Sequence, residues 1–271
     1  MRKRSRIALA LLLLAVIGGI VWLASRPSEP MYKGKRLSVW LKFYDAYATG
    51  SLTSPQDRDN LKLADEAVRA IGTNAIPTLL RKLGAKDSAL TVRLMALAQK
   101  QHLFKVKFAP AYIRRYEGSS GLEALGARGK SAVPELIRMY EQDHSVVFRC
   151  FVASILSSIG PAAEQAVPAL ARALGDANLN TRVSAVVALR LIHAHPEIAV
   201  PALVKCLSDQ GAGIKCRCNA AQALGAFGAD AKPAVPDLLK MLADSDESVR
   251  LWANAALQEI DPEALPEAEV K

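Results

Sequence analysis

Ala75-Ile76-Pro77-Thr78-Leu79, Ala132-Val133-Pro134-Glu135-Leu136, Ala166-Val167-Pro168-Ala169-Leu170, Ala199-Val200-Pro201-Ala202-Leu203 and Ala234-Val235-Pro236-Asp237-Leu238 are five copies of one phrase. The last three intervals between their prolines are 34, 33 and 35 residues. Such a period marks a chain built from repeated supersecondary units. Proline suits the first turn of a helix, where its missing N–H has no helical partner, so each phrase is expected to open a short first helix. The first interval, Pro77 to Pro134, is more than half as long again and leaves room for one additional, divergent hairpin.

A second signal follows each phrase. Asp87, Asp143, Asp176 and Asp244 are each followed six residues later by Arg93, Arg149, Arg182 and Arg250. In the remaining copy Asp209 leads to Arg217 with two extra residues, in a loop containing Gly211 and Gly213. Counted from the arginine, position +7 reads Lys100, Leu156, Leu189, Leu224 and Leu257, and position +10 reads Leu103, Ile159, Ile192, Phe227 and Ile260. Position +3 is alanine in four copies. These positions share one face of a helix, so they form the buried stripe of a second helix. Gly72, Gly160 and Gly228 close such helices in the manner of a C-cap.

This combination resembles the HEAT repeat family, including the bacterial branch of phycobilisome-lyase HEAT-like repeats, over roughly residues 59–262. The fold the resemblance implies is an all-α, α-α superhelix of five or six hairpins. It also implies that the Asp and Arg residues (Asp87/Arg93, Asp143/Arg149, Asp176/Arg182, Arg217, Asp244/Arg250) form a structural ladder between hairpins. HEAT arrays serve many functions, so the fold alone names none. Residues 101–129 depart from the pattern, and a shortened or distorted hairpin is expected there.

Net charge is +9, yet residues 1–36 carry eight basic groups against Glu29, so the rest of the chain holds only +2. The global basicity therefore does not argue for nucleic acid. It flanks Ile7–Ala24, 18 residues without a charge, about 27 Å as a helix and near the short end for a bilayer span. A cleaved signal peptide shares that layout. Its apolar core is usually shorter, however, and Trp22 and Leu23 stand where a cleavage site wants small residues. The reading adopted is a basic cytosolic tail (1–6), an uncleaved transmembrane signal-anchor (7–24), a juxtamembrane linker with an amphipathic helix (25–58), the solenoid (59–262) and a tail (263–271). The short tail with its four positive charges is expected to stay in the cytosol, placing the repeats on the extracytoplasmic side. In the linker, Ser38 is expected to cap a helix over 38–48. Its Leu37, Trp40, Leu41 and Tyr44 would cover the open end of the stack.

Several motifs carry no chemistry. Ala124 to Ser131 imitates a phosphate loop but lacks its first glycine and a preceding strand. His193 and His195, two apart, do not share a helix face, and Cys216-Arg217-Cys218 lacks metal-ligand spacing. Cys150, Cys206, Cys216 and Cys218 either pack as small apolar residues or, in an oxidising compartment, allow a bridge from Cys206 to Cys216 or Cys218. The packing reading is preferred. No cofactor, metal or catalytic constellation is visible, so the chain is not read as an enzyme.

Residues 81–117 carry a local charge of +7 while 118–271 carry −4. Within the basic stretch, Arg114 and Arg115 are candidate partner contacts. On second helices, which line the concave face of such solenoids, positions +2 and +5 contribute Phe151, Trp252, Asn219 and Gln222 as candidate anchors. The functional expectation is a membrane-anchored scaffold for a protein partner whose identity the sequence does not name. Two alternatives remain: a bilin-lyase-like protein, suggested by the family name alone, and nucleic-acid binding through 81–117, which an outer location disfavours.

Overall fold

The computed structural model describes residues 29–51, 54–100 and 109–265. The proposed membrane segment 7–24, its basic tail, the aromatic and basic residues of 101–108 and the final residues 266–271 lie outside the described residues. A two-stranded antiparallel ribbon, β1 (Met31–Tyr32) and β2 (Lys35–Arg36), leads into α1 (Leu37–Leu41) and α2 (Asp45–Ala48). Next come α3 (Pro55–Ile71), α4 (Ile76–Leu83), α5 (Ala89–Lys100) and α6 (Ala111–Leu125). The remaining helices are α7 (Val133–Gln142), α8 (Val146–Ile159), α9 (Val167–Ala173), α10 (Leu179–Ile192), α11 (Pro196–Ser208), α12 (Ile214–Phe227), α13 (Val235–Met241) and α14 (Glu247–Ile260).

Five hairpins stack in register: α4 with α6, α7 with α8, α9 with α10, α11 with α12 and α13 with α14. Consecutive second helices (α6, α8, α10, α12, α14) pack side by side as one layer. The seam between the layers is continuous. Leu79, Leu122, Leu136, Leu156, Leu170, Leu189, Leu203, Leu224, Leu238 and Leu257 are all fully buried. Each leucine removes enough apolar surface from water to contribute about 2 kcal/mol, and no single hairpin can bury its own face.

Where a helix of the stack ends in glycine, the residue has a geometric reason. Gly160 takes φ +67°, a conformation that costs other residues energy, and starts a short 3-10 turn that reverses the chain. Gly72, Gly126 and Gly228 do likewise. This break divides Val146–Ala173, a stretch apolar enough by composition to cross a membrane, into α8 and α9. Between the third and fourth hairpins His193 and His195 adopt the left-handed conformation instead. There α11 begins a turn early at Pro196, leaving Pro201 inside the helix rather than at its start.

The first hairpin corrects the sequence reading. Its second helix is α6, not the helix that follows Asp87 directly. Asp87 pairs with Arg114, and its carboxylate accepts the Ala111 N–H at 2.7 Å. Asp143 and Asp176 accept the N–H two residues ahead in the same role. The ladder arginine is Arg115, which donates to the Ala85 carbonyl at 2.8 Å and reaches Asp143 at 3.6 Å. Arg115 lies far beyond the six-residue spacing from the aspartate that the regular copies keep, and the surplus corresponds to an insertion over 88–109. The insertion holds α5, which packs closely on none of the other described elements, and Arg93 is exposed on it. Among the described residues, the long interval from Pro77 to Pro134 therefore contains one hairpin of the regular kind, α4 with α6, and the separate helix α5 between them.

The boundary expected at residue 59 also moves. The helix expected over 38–48 starts at Leu37 and is broken by a 3-10 turn at Lys42–Tyr44. Ser38 is not its cap: Glu29 accepts both the Ser38 N–H and its hydroxyl. Leu37, Trp40, Leu41 and Tyr44 are buried against α3 and α6, so this segment is the first layer of the stack rather than a linker.

Candidate functional site

Two edges of the stack carry regular polar chemistry. Along the loop edge, each ladder arginine bonds the backbone of its own hairpin and the next hairpin's aspartate. Arg149 donates to the Asp143 carbonyl at 3.3 Å and to the Asp176 carboxylate at 2.5 Å. Arg217 donates to the Leu207 carbonyl at 3.0 Å, to Gln210 at 3.2 Å, and to Asp244. The Arg217–Asp244 pair is almost wholly buried, and the guanidinium holds the Asp244 carboxyl below the usual carboxylate range. Arg250 donates to the Asp244 carbonyl at 2.6 Å. One rung differs. Arg182 donates to the carbonyls of Gly211 and Ala212, at 3.3 Å each, because the two extra residues beyond Asp209 displace its carboxylate. Asp209 instead accepts the Gly211 N–H at 2.8 Å.

The other edge, the exposed surface of the second helices, is where the candidate anchors stand. Phe151 is half-buried in a row of rings that crosses three helices. Tyr47 of α2 stacks on Tyr116 of α6 with centroids 5.4 Å apart, and Tyr116 meets Phe151 of α8 edge-on at 6.0 Å. Beside the row a groove of about 340 Å³ lies between α8 and α10, lined by Ser154, Ser157, Ser158, Ser184, Val187 and Leu191 with Cys150. Further along, a groove of about 180 Å³ between α12 and α14 brings Gln222 and Trp252 together with Arg190 and Glu259. Trp252 is 36% exposed at its wall. Asn219 lies outside this groove and donates to the Lys215 carbonyl at 2.6 Å.

Arg114 and Arg115 do not join this surface. Both hold the base of the insertion, in ion pairs with Asp87 and Asp143. Lys82 is likewise paired inside the stack, with Glu117. The basic stretch 81–117 is therefore a weaker anion-binding surface than its charge count implies.

Under the aromatic row lies a polar cluster that periodicity could not reveal. Glu117 is buried against Lys82, and Asp45 of the first layer faces it. Burial, and then the neighbouring Glu117 carboxylate, push the Asp45 carboxyl up to about 6. Burial also raises the Glu123 carboxyl, which Ser119 approaches at 3.1 Å. Tyr44 donates to Asp65 at 2.6 Å. The Asp45–Glu117 contact joins the first layer to the first hairpin, and Tyr44–Asp65 joins that layer to α3. Among the described residues no group of three His, Cys, Asp or Glu side chains converges as a metal site. His193 stacks on Phe227 at 4.8 Å, and His195 bonds Glu197 at 2.9 Å.

Residues 217–244 match the family model described as PBS lyase HEAT-like repeat, a span running from ladder residue Arg217 to its partner Asp244. No curated protein matches the chain. Among solved structures, Kap121p superposes with a TM-score of 0.54 at 12% identity over 82% of this chain. The match covers 25% of Kap121p, so this chain spans about a quarter of that protein's length. An engineered protein is also similar, with a TM-score of 0.43 and 19% identity over 81% of this chain and 96% of the other. At such identity the likeness to Kap121p concerns the fold. With the geometry above, it establishes an α-helical solenoid that carries a HEAT-like repeat.

Proposed function

We propose that this chain is a membrane-anchored scaffold that holds an extended protein segment along its second-helix surface, without a cofactor. The observation that carries the reading is the groove between α12 and α14. There Trp252 stands partly exposed beside Gln222, with Arg190 and Glu259 at hand to fix a backbone or charged side chain. A large aromatic ring next to polar groups is the usual composition of an interface hot spot. The serine-lined groove two repeat intervals away offers hydrogen-bond partners in the same layer. A partner that lies across several hairpins gains from each modest contact, as tethered sites do.

Affinity capture with the full chain in detergent tests this. The Trp252→Ala, Gln222→Ala double variant is expected to lose at least 10-fold in partner retention while keeping its melting temperature. Equal retention would remove the proposed groove. Phe151→Ala is a poorer probe, because Phe151 also packs on the core.

Anchoring by residues 7–24 is supported by their 18 uncharged residues and the four basic groups before them. Full-length protein is then expected to stay in the membrane pellet after alkaline carbonate washing. Release into the supernatant would contradict anchoring and leave the groove reading intact.

A further inference from the structure

The fourth hairpin differs from its neighbours in two ways that coincide in space. It is the hairpin whose Asp209 is not reached by the preceding arginine, since Arg182 meets the loop carbonyls of Gly211 and Ala212 rather than that carboxylate. It is also the one with cysteine at both positions where first and second helix meet at the loop end. Counted from the repeat proline and the ladder arginine, those positions hold Met139 and Phe148, Ala173 and Thr181, Met241 and Val249 in the neighbours. Here they hold Cys206 and Cys216, whose Sγ atoms stand 2.8 Å apart, closer than non-bonded sulfurs ordinarily rest. Both are buried, whereas Cys150 and Cys218 are half-exposed, and Cys150 points to the Asn180 carbonyl at 3.7 Å.

We infer that Cys206 and Cys216 form a disulfide that staples α11 to α12 and replaces the missing ion-pair rung. A covalent S–S bond is about 2 Å long, so only a small further closure separates the observed approach from bonding. The oxidant is a disulfide of the glutathione class, or a disulfide-donating oxidoreductase. Hydrogen bonding from Cys206 and the Arg182 charge hold the Cys216 thiol below its usual range, so Cys216 attacks first. Its thiolate takes one sulfur of the oxidant as a mixed disulfide and expels the other as a thiolate. Cys206 then loses its proton, displaces the second thiolate and closes the ring. Two protein thiols are oxidised and one external disulfide is reduced to two thiols. In cells this rests on the extracytoplasmic location proposed above; in a purified sample it does not.

The test uses full-length protein in detergent, purified reduced, equilibrated with oxidised glutathione, alkylated and digested with trypsin. Cleavage after Lys205, Lys215 and Arg217 separates the possible pairings. The expected product is peptide 206–215 joined to the dipeptide Cys216-Arg217. Its reduction should lower the melting temperature by about 5–10 °C in the wild type and in Cys218→Ser, and by nothing in Cys216→Ser. Free, alkylated Cys206 and Cys216 after oxidation would overturn the inference. So would peptide 206–215 joined to the peptide that begins at Cys218, or a melting temperature indifferent to reduction. The redox state of protein recovered from cells reads the compartment separately.

Discussion

The fifth hairpin and the first occupy equivalent places in the stack but are made of different material. In the fifth, α13 and α14 are joined by a short loop, Leu238, Ala253 and Leu257 are fully buried, and Asp244 is held by Arg217 of the hairpin before. In the first, the insertion over 88–109 separates the loop's aspartate from the start of α6, and half-buried Lys82 of α4 pairs with buried Glu117 of α6. Gly118 occupies the position filled by Val152, Ala185, Ala220 and Ala253 elsewhere. Despite this, Leu122 and Leu125 lie in the same buried stripe as Leu257 and Ile260. The stack therefore tolerates interruption at the loop edge but not at the seam. What defines a repeat is where its second helix lands, rather than how soon it follows.

The comparison can be broken hardest at the regular end. Arg217→Ala removes the buried partner of Asp244 and three further hydrogen bonds, and is expected to cost about 3–5 kcal/mol in urea unfolding. Arg217→Lys should recover only part of this, because an ammonium cannot reproduce the fork. At the irregular end, Gly118→Ala would place a Cβ 2.5 Å from the Leu83 nitrogen and 2.7 Å from the Leu79 carbonyl oxygen. Backbone must move, so a loss of about 3 kcal/mol is expected.

Smaller effects sharpen the contrast. Asp45 has a folded pKa of about 6, above its ordinary value of 3.8, so its ionisation opposes docking of the first layer. That opposition is absent below about pH 4 and is fully present above about pH 6. Asp45→Asn is therefore expected to stabilise the protein at pH 7.5 by about 1 kcal/mol, allowing for solvent screening, and to give no gain at pH 4. Thermal melts at the two pH values decide it. Arg93→Ala, on the exposed insertion, should change stability by less than about 0.5 kcal/mol. A loss comparable to that of Arg115→Ala would restore Arg93 to the ladder.

Most of the solenoid was legible from the five proline phrases, because burial on a helix leaves a period that survives divergence. The register of the first hairpin was not. Asp87 and Arg93 have the right spacing, yet position +7 from Arg93 is Lys100, a residue unsuited to the seam. Counting from Arg115 gives Leu122 at +7 and Leu125 at +10, apolar as in the other copies, followed by Gly126 as Gly160 and Gly228 follow in two of them. Apolar phase was the better guide, and charge spacing misled. The groove that joins Gln222 to Trp252 was partly visible, since both were marked as second-helix surface positions. The aromatic row and the Asp45–Glu117 contact were not, because they bring together residues far apart in the chain with no shared period. The Cys206–Cys216 approach depended on how far the Gly-rich loop closes, which composition does not report.

Hydrogen exchange followed by mass spectrometry on the full chain tests the unbroken stack most directly. The amides of α4 and α6 are expected to exchange slowly and together with those of α8, while α5 exchanges orders of magnitude faster. If α5 were protected to the level of α6, or if α4 and α6 opened independently, the insertion would belong to the stack and the five-hairpin register would be wrong.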